Sequence, residues 1–256
     1  MTRPQPEPTK PTRGAPAKAG AGLRTLCIDI GGTGLKALIL GPDGKPLTDR
    51  ARIETPHPAT PEAVLTAILQ LIKPLGQFDR VSVGFPGVVV DGVTQRAPNL
   101  DEAWHGFDLA RALAQRTGRP ARALNDAGVQ GYAAVEGRGV EIVLTLGTGL
   151  GFALFHEGEY VPNIELGHHP FKKDRTYEDY LGAGALEKSG KEKWSEHVLE
   201  AIRQVDIVFN PRQIYLGGGN AKHIQIPLPA HVKMIENISG LLGGHMLWRD
   251  RSGSHR

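Results

Sequence analysis

Asp29-Ile30-Gly31-Gly32-Thr33-Gly34-Leu35-Lys36 decides how this chain is read. It joins two apolar runs, residues 23–30 and 35–40, through a glycine-rich turn, which is the pattern of a β-hairpin. The same order returns at residues 142–155 around Thr145-Leu-Gly-Thr-Gly-Leu-Gly151. A hairpin of this kind repeated about one domain later argues for two related α/β domains facing across a cleft.

Glycine lets the backbone come close to a phosphate and leaves its N–H groups free to donate. Within the first turn Thr33 adds a hydroxyl and Lys36 a positive charge. Asp29 can hold a magnesium ion through water, because that hard cation favours carboxylates and substrate phosphates, and no direct protein ligation of a metal is expected. Each turn, taken singly, is also a plain hairpin turn. The P-loop spacing is absent, and no dinucleotide fingerprint precedes a helix. A third glycine turn, Gly217-Gly218-Gly219-Asn220, follows a further apolar strand.

Leu124-Asn125-Asp126-Ala127 ends another apolar run and opens a helical pattern. Asn-Asp at such a place serves as an N-cap. Beside phosphate-binding turns, the Asp126 carboxylate is placed to act as a general base. Glu165-Leu-Gly-His168-His169 has the composition of a metal site, but Cys27 is the only cysteine, so a structural zinc lacks ligands. Carboxylate and imidazole here suit hydrogen bonding to a polyhydroxylated ligand, with His169 structural.

The rest of the chain sets bounds. No apolar run among the 256 residues is long enough to span a bilayer. The first 22 residues carry five prolines and little that is apolar, so they read as a disordered basic tail and not as a secretory signal. Without that signal the Asn237-Ile-Ser239 sequon has no meaning, and a cytoplasmic protein without membrane contact is expected. Formal charge +3 permits an anionic ligand without requiring nucleic acid. Apolar spacing predicts helices over 61–73, 108–117, from 126 to 136, 177–187 and 192–208. The expected organisation is a tail (1–22), two α/β domains (23–118 and 119–231), and a closing helix and tail (232–256).

Together these motifs resemble the ROK family of sugar kinases, within the actin-like phosphotransferases, and most closely its polyphosphate-using glucokinase branch. The residues that carry the likeness are DIGGTGLK at 29–36, APNL at 97–100, LNDA at 124–127, TLGTGLG at 145–151, VPNIELGHHPF at 161–171, TYEDYLG at 176–182 and LGGGNAK at 216–222. The resemblance implies a two-domain actin-like (ribonuclease H-like) fold with an interdomain cleft, usually in a homodimer. It makes Asp126 the catalytic base, and gives the sugar hydroxyls to Asn99, Asn125, Asp126, Glu165, His168 and Glu178. Gly31, Gly32, Thr33, Gly34 and Lys36 match the first phosphate loop, with Asp29 beside it; Thr148 and Gly149 match the second. Gly217, Gly218, Gly219 and Asn220 match a loop near the far end of the donor.

Most of that family carry a cysteine-rich zinc motif after Glu-x-Gly-His. Residues 172–177 replace it here, as in the polyphosphate branch, which removes zinc. The implied reaction is transfer of a terminal phosphoryl group from polyphosphate to the 6-hydroxyl of glucose, with Mg2+ assisting. An ATP-dependent glucokinase or a glucomannokinase accepting mannose is the nearest alternative, and a noncatalytic sugar-sensing regulator is the alternative from another class. Lys172, Lys173, Arg175, Lys188, Lys191 and Lys193 are candidates for a track along a polymeric donor, although such charges are more often a solvated face.

Overall fold

The protein is described by a computed structural model over residues 22–97, 100–235 and 241–249. The tail, Pro98, Asn99, the sequon and the last residues lie outside the described residues. Strand β1 (Thr25–Ile30) is buried along its whole length and pairs antiparallel with β2 (Gly34–Leu40), which pairs with β3 (Ala51–Glu54). Helix α1 (Pro61–Ile72) starts where the Thr60 hydroxyl accepts from the Ala63 amide, with proline at its first position. Its Val64, Leu65 and Ile68 pack with Leu26, Ile28 and Ile30 on one face of the sheet. Strand β4 (Arg80–Phe85) then runs parallel to β1.

A small sheet of β5 (Val88–Val90), β6 (Val93–Arg96) and β7 (Phe107–Asp108) covers the buried Trp104, whose indole N–H donates to the Ala59 carbonyl at 2.8 Å. Helix α2 (Leu109–Thr117) ends at a left-handed Gly118 and leads into β8 (Ala121–Asn125), parallel to β4. The first sheet is therefore ordered β3-β2-β1-β4-β8 and runs past the divide expected at 118/119. The α2 crossover returns the chain beside β4, which an apolar run of four residues does not reveal by itself.

Helix α3 (Asp126–Tyr132) is shorter than its sequence pattern suggests. The buried Glu141 carboxylate accepts from the amides of Glu136, Gly137 and Arg138 at 2.8, 2.7 and 3.0 Å, and so organises a turn where the helix was expected. Strands β9 (Val140–Leu146), β10 (Leu150–His156) and β11 (Glu159–Val161) form an antiparallel meander. After it come the hairpin β12 (Pro170–Lys172) and β13 (Arg175–Thr176), turned by two left-handed residues, Lys173 and Asp174.

The single helix expected over 177–187 is two, α4 (Tyr177–Leu181) and α5 (Ala183–Ser189), because Gly182 between them is extended. Helix α6 (Lys191–Phe209) packs Trp194, Val198 and Ile202 on the second sheet. Strands β14 (Gln213–Gly217) and β15 (Val232–Met234) complete that sheet in the order β11-β10-β9-β14-β15.

The closing helix expected over 232–247 is a strand and, after undescribed residues, a 3-10 segment, Leu242–Trp248. That segment returns to the first sheet: the Ser82 hydroxyl donates to the Gly244 carbonyl at 2.6 Å, and the Trp248 indole donates to Ser82 at 2.9 Å. Arg122 and Arg80 lie over the Trp248 ring. Cys27 is buried on the same face, its thiol pushed up to about 12 by burial, so it is an inert core group. Among the described residues no helix is long and apolar enough to cross a membrane.

Candidate active site

Asp126 stands where β8 passes into α3, at the carboxyl end of a parallel strand, the usual place for a ligand in open α/β sheets. Asn125 caps the helix: its side-chain oxygen accepts from the Gly128 amide and its NH2 donates to the Gly87 carbonyl, both at 3.2 Å. That side chain is buried and serves the scaffold, although the resemblance gave it to the sugar. One oxygen of Asp126, Oδ1, accepts from the Ala127 amide at 2.7 Å. The residue keeps part of its surface open, with protein packed around it. Burial is the main cause that lifts its pKa to about 7; the negative charges of Asp29 and Glu165 add to the rise. Asp29 and Glu165 are thus close enough for their charges to act on Asp126. Gly84 packs beside Asp126: a Cβ there would make ordinary contact with the Asp126 Cα, at 3.4 Å.

The first glycine loop sits between β1 and β2. It is closed by the Gly31 amide donating to the Gly34 carbonyl at 3.1 Å, and anchored by the Thr55 hydroxyl donating to the Gly31 carbonyl at 2.5 Å. Thr33 is exposed at its tip and Gly32 is half-buried. Lys36, expected to meet phosphate, is instead 2.8 Å from Asp29 Oδ2, its register partner across the two strands. The cation lying against this loop is exposed Arg52: a Cβ on Gly34 would stand 2.9 Å from its Nε. Nothing in the sequence pattern marked Arg52, because it belongs to a separate strand.

The second loop is held from both sides. Gly147 donates to the Gly149 carbonyl at 3.0 Å, and Ala183, opening α5, donates to the Thr148 carbonyl at 3.0 Å. Glu178 in α4 accepts from the Leu150 amide at 3.2 Å and lies against Gly149 and Gly167. The third loop closes on the second, because the Asn220 amide donates to the Leu146 carbonyl at 2.9 Å and its side chain to the Gly147 carbonyl at 2.8 Å. The third loop is thus joined to the start of the second at Leu146 and Gly147.

Glu165 precedes a single 3-10 turn, Leu166–His168, whose last residue is exposed. His169 is also exposed and its ring is tilted against that of Tyr177, with ring centres 6.3 Å apart. Asn99 is outside the described residues, so its place among the sugar groups is not part of this geometry. A cavity of about 650 Å³ lies on either side of it in sequence, lined by Gln95, Leu100, Asp101, Trp104 and His105; none of the groups around Asp126 lines it. Where the zinc motif of other family members was expected to be replaced, Lys172 forms an ion pair with Glu200 and lies 5.1 Å from the Tyr180 ring centre. Lys172 is therefore tied inward; Lys173, Arg175, Lys188, Lys191 and Lys193 are exposed.

Residues 25–177 match the ROK family. A polyphosphate glucokinase of Mycobacterium tuberculosis strain H37Rv is 31% identical over 236 residues, covering 86% of this chain and 89% of the relative. The crystal structure of an inorganic polyphosphate/ATP-glucomannokinase from Arthrobacter sp. strain KM superposes with a TM-score of 0.79 at 33% identity, over 89% of this chain and 98% of that one. A ROK-family glucokinase from Streptomyces griseus, solved with glucose and AMPPNP, shares the fold with a TM-score of 0.72 at 20% identity, over 88% and 98% of the two chains. The chain belongs to the ROK family and has its actin-like α/β sugar-kinase fold.

Proposed function

We propose that this protein is a polyphosphate-dependent glucokinase, transferring the terminal phosphoryl group of polyphosphate to the 6-hydroxyl of glucose with Asp126 as base. At the coarser level it is a sugar kinase, a phosphotransferase with an alcohol acceptor. The observation that carries the reading is the Asp126 environment. A carboxylate poised near neutral pH, among two others and beside glycine loops, matches a general base working against phosphate.

In this mechanism the Ala127 amide holds Oδ1 of Asp126, which leaves Oδ2 to take the proton of the sugar hydroxyl. The hydroxyl oxygen attacks the terminal phosphorus in line. A phosphorus–oxygen bond to the sugar forms, the bridging bond to the rest of the donor breaks, and the shortened donor leaves as an anion. Phosphoryl transfer asks little covalent chemistry of the protein, so the rate depends on positioning and charge neutralisation. Glu165, His168 and Glu178 orient the hydroxyls. Arg52 and the amides of the first two glycine loops face the donor.

Asp29 fits a hydrated magnesium ion, since Lys36 engages only one of its carboxylate oxygens and this ion keeps several waters. When bound, the ion neutralises phosphate charge. The two sheets form the cores of two domains that divide near Asn125–Asp126 and close to exclude water.

The nearest second reading, use of ATP and mannose as well, is favoured by the likeness to the polyphosphate/ATP-glucomannokinase. Initial rates with polyphosphate and ATP, each with glucose and mannose, separate the two. The expected result is turnover of glucose with polyphosphate at a higher kcat/KM than with ATP. Turnover with ATP alone would overturn the donor assignment, and an Asp126→Ala variant with near-normal turnover would overturn the base.

A further inference from the structure

Helix α4 has five residues, too few for a helix to hold by its own hydrogen bonds, so its place is imposed from outside. Tyr177 and Tyr180 stand three residues apart and share one of its faces. Phe171 of the β12–β13 hairpin packs on both, with ring centres 4.6 Å and 5.3 Å away. Helix α6 holds the same two residues. The Tyr177 hydroxyl donates to Gln204 Oε1 at 2.6 Å, and the His197 ring lies edge-on to Tyr180 with centres 4.9 Å apart.

Lys172, next to Phe171 in the hairpin, completes this packing. Its half-buried ammonium lies 5.3 Å from the Phe171 ring centre and 5.1 Å from that of Tyr180, and it forms an ion pair with Glu200 of α6. One cation thus joins the hairpin, α4 and α6. Glu178 lies between the two tyrosines in sequence and well round the helix from them. Its Oε2 accepts from the Leu150 amide at 3.2 Å, beside the second glycine loop, and would lie 3.8 Å from a Cβ on Gly167 in the turn after Glu165.

We propose that Lys172 is a positioning residue for Glu178, holding α4 against the hairpin and α6 so that this carboxylate stays on the second glycine loop. The functional half rests on the reading of the site as a glucose kinase, in which Glu178 orients a sugar hydroxyl. Lys172 acts through Glu178 and not by contact with either substrate.

Lys172→Met keeps the apolar stem and removes the charge. It is expected to speed amide exchange at Leu150, read without any ligand, at least tenfold, and to raise the glucose KM and the donor KM about fivefold each. Lys172→Arg restores the charge and should bring Leu150 exchange back to within threefold of wild type. Glu200→Gln removes only the partner's charge and should speed Leu150 exchange severalfold, which tests the ion pair even where Lys172→Met fails to fold. In a Glu178→Ala chain, Lys172→Met should change either KM less than twofold, because the group it places is gone. Leu150 exchange that stays at the wild-type rate in the folded charge-removing variants would overturn the inference whatever the substrate. A full fivefold rise added on top of Glu178→Ala would overturn it too. Failure of the wild type to phosphorylate glucose, with Leu150 exchange accelerated as expected, would instead sink the function and leave the placement of Glu178 standing.

Discussion

The Lys36 ammonium lies 2.8 Å from the Asp29 carboxylate, on adjacent positions of two paired strands. A lysine in a phosphate-loop motif reads from sequence as a phosphate ligand, yet here it balances an acid that itself acts on Asp126. Asp29 is one of the charges that raise the Asp126 pKa. Asp29→Asn therefore removes a like charge, and the acid limb of kcat/KM against pH should move to lower pH by about half a unit to one unit. The maximal rate should fall, because the same carboxylate is the proposed magnesium group. A pH profile of the residual activity checks this, and an acid limb that stays in place would remove Asp29 from the field around the base.

Asp126 also ties stability to pH. Its pKa of about 7 in the folded chain is above the ordinary value of 3.8. Between those values the folded protein holds a proton that the unfolded chain has lost, so stability falls as pH rises through the window. Asp126→Asn removes that loss. The variant should be more stable than wild type at pH 8, by ~1–3 kcal/mol, with the advantage gone near pH 4. Denaturant unfolding at the two pH values measures it, while wild-type kcat/KM should rise tenfold per pH unit below about 7 and level off above.

Glu178 links the two substrates. The resemblance gave it to the sugar, but its Oε2 accepts from the Leu150 amide, and a Cβ on Gly149 would lie 2.0 Å from that oxygen. Gly149→Ala must therefore displace either the second glycine loop or Glu178. The expected outcome is a rise in both the donor KM and the sugar KM, with kcat/KM down at least tenfold, whereas a residue serving one substrate alone would move one constant. Steady-state kinetics with each substrate varied in turn distinguishes the two results.

Much of the scaffold was legible because glycine punctuates it. The two hairpins and the third glycine loop lie where apolar runs break at glycine, the strand before Asp126 ends at an Asn-Asp pair, and runs of that kind report local structure directly. Contacts between distant residues did not show. Glu141 reads as the polar start of an apolar strand, and nothing near it announces that its carboxylate gathers three amides and shortens α3. Gly128 and Gly131 read as weak points in a helix until Tyr160 and Phe155 are seen to fill them. The pairing of Lys36 with Asp29 follows from strand register, and a motif read as a linear string contains no register.

Adjacent glycines in the third loop separate what the fold needs from what a ligand needs. Gly218 has a φ of 88°, and a Cβ on it would stand 2.4 Å from the Leu146 carbonyl oxygen, which is backbone and cannot swing away. Gly219 has no atom within 4 Å of the corresponding position and no left-handed φ. Gly218→Ala should cost about 3 kcal/mol or more from strain and clash together, a fall in melting temperature of about 6–12 °C for a chain of this size. Gly219→Ala should leave the melting temperature within about 1–2 °C, since open surface substitutions stay within about 0.5 kcal/mol. If the phosphate donor lies along this loop, the added methyl at 219 meets the donor instead of the protein, and the donor KM should rise severalfold while the glucose KM holds. Thermal melting and donor-dependent rates on the two variants check both halves. A Gly219→Ala enzyme with an unchanged donor KM would move the donor away from the third loop and leave Asn220 only its task of holding Gly147.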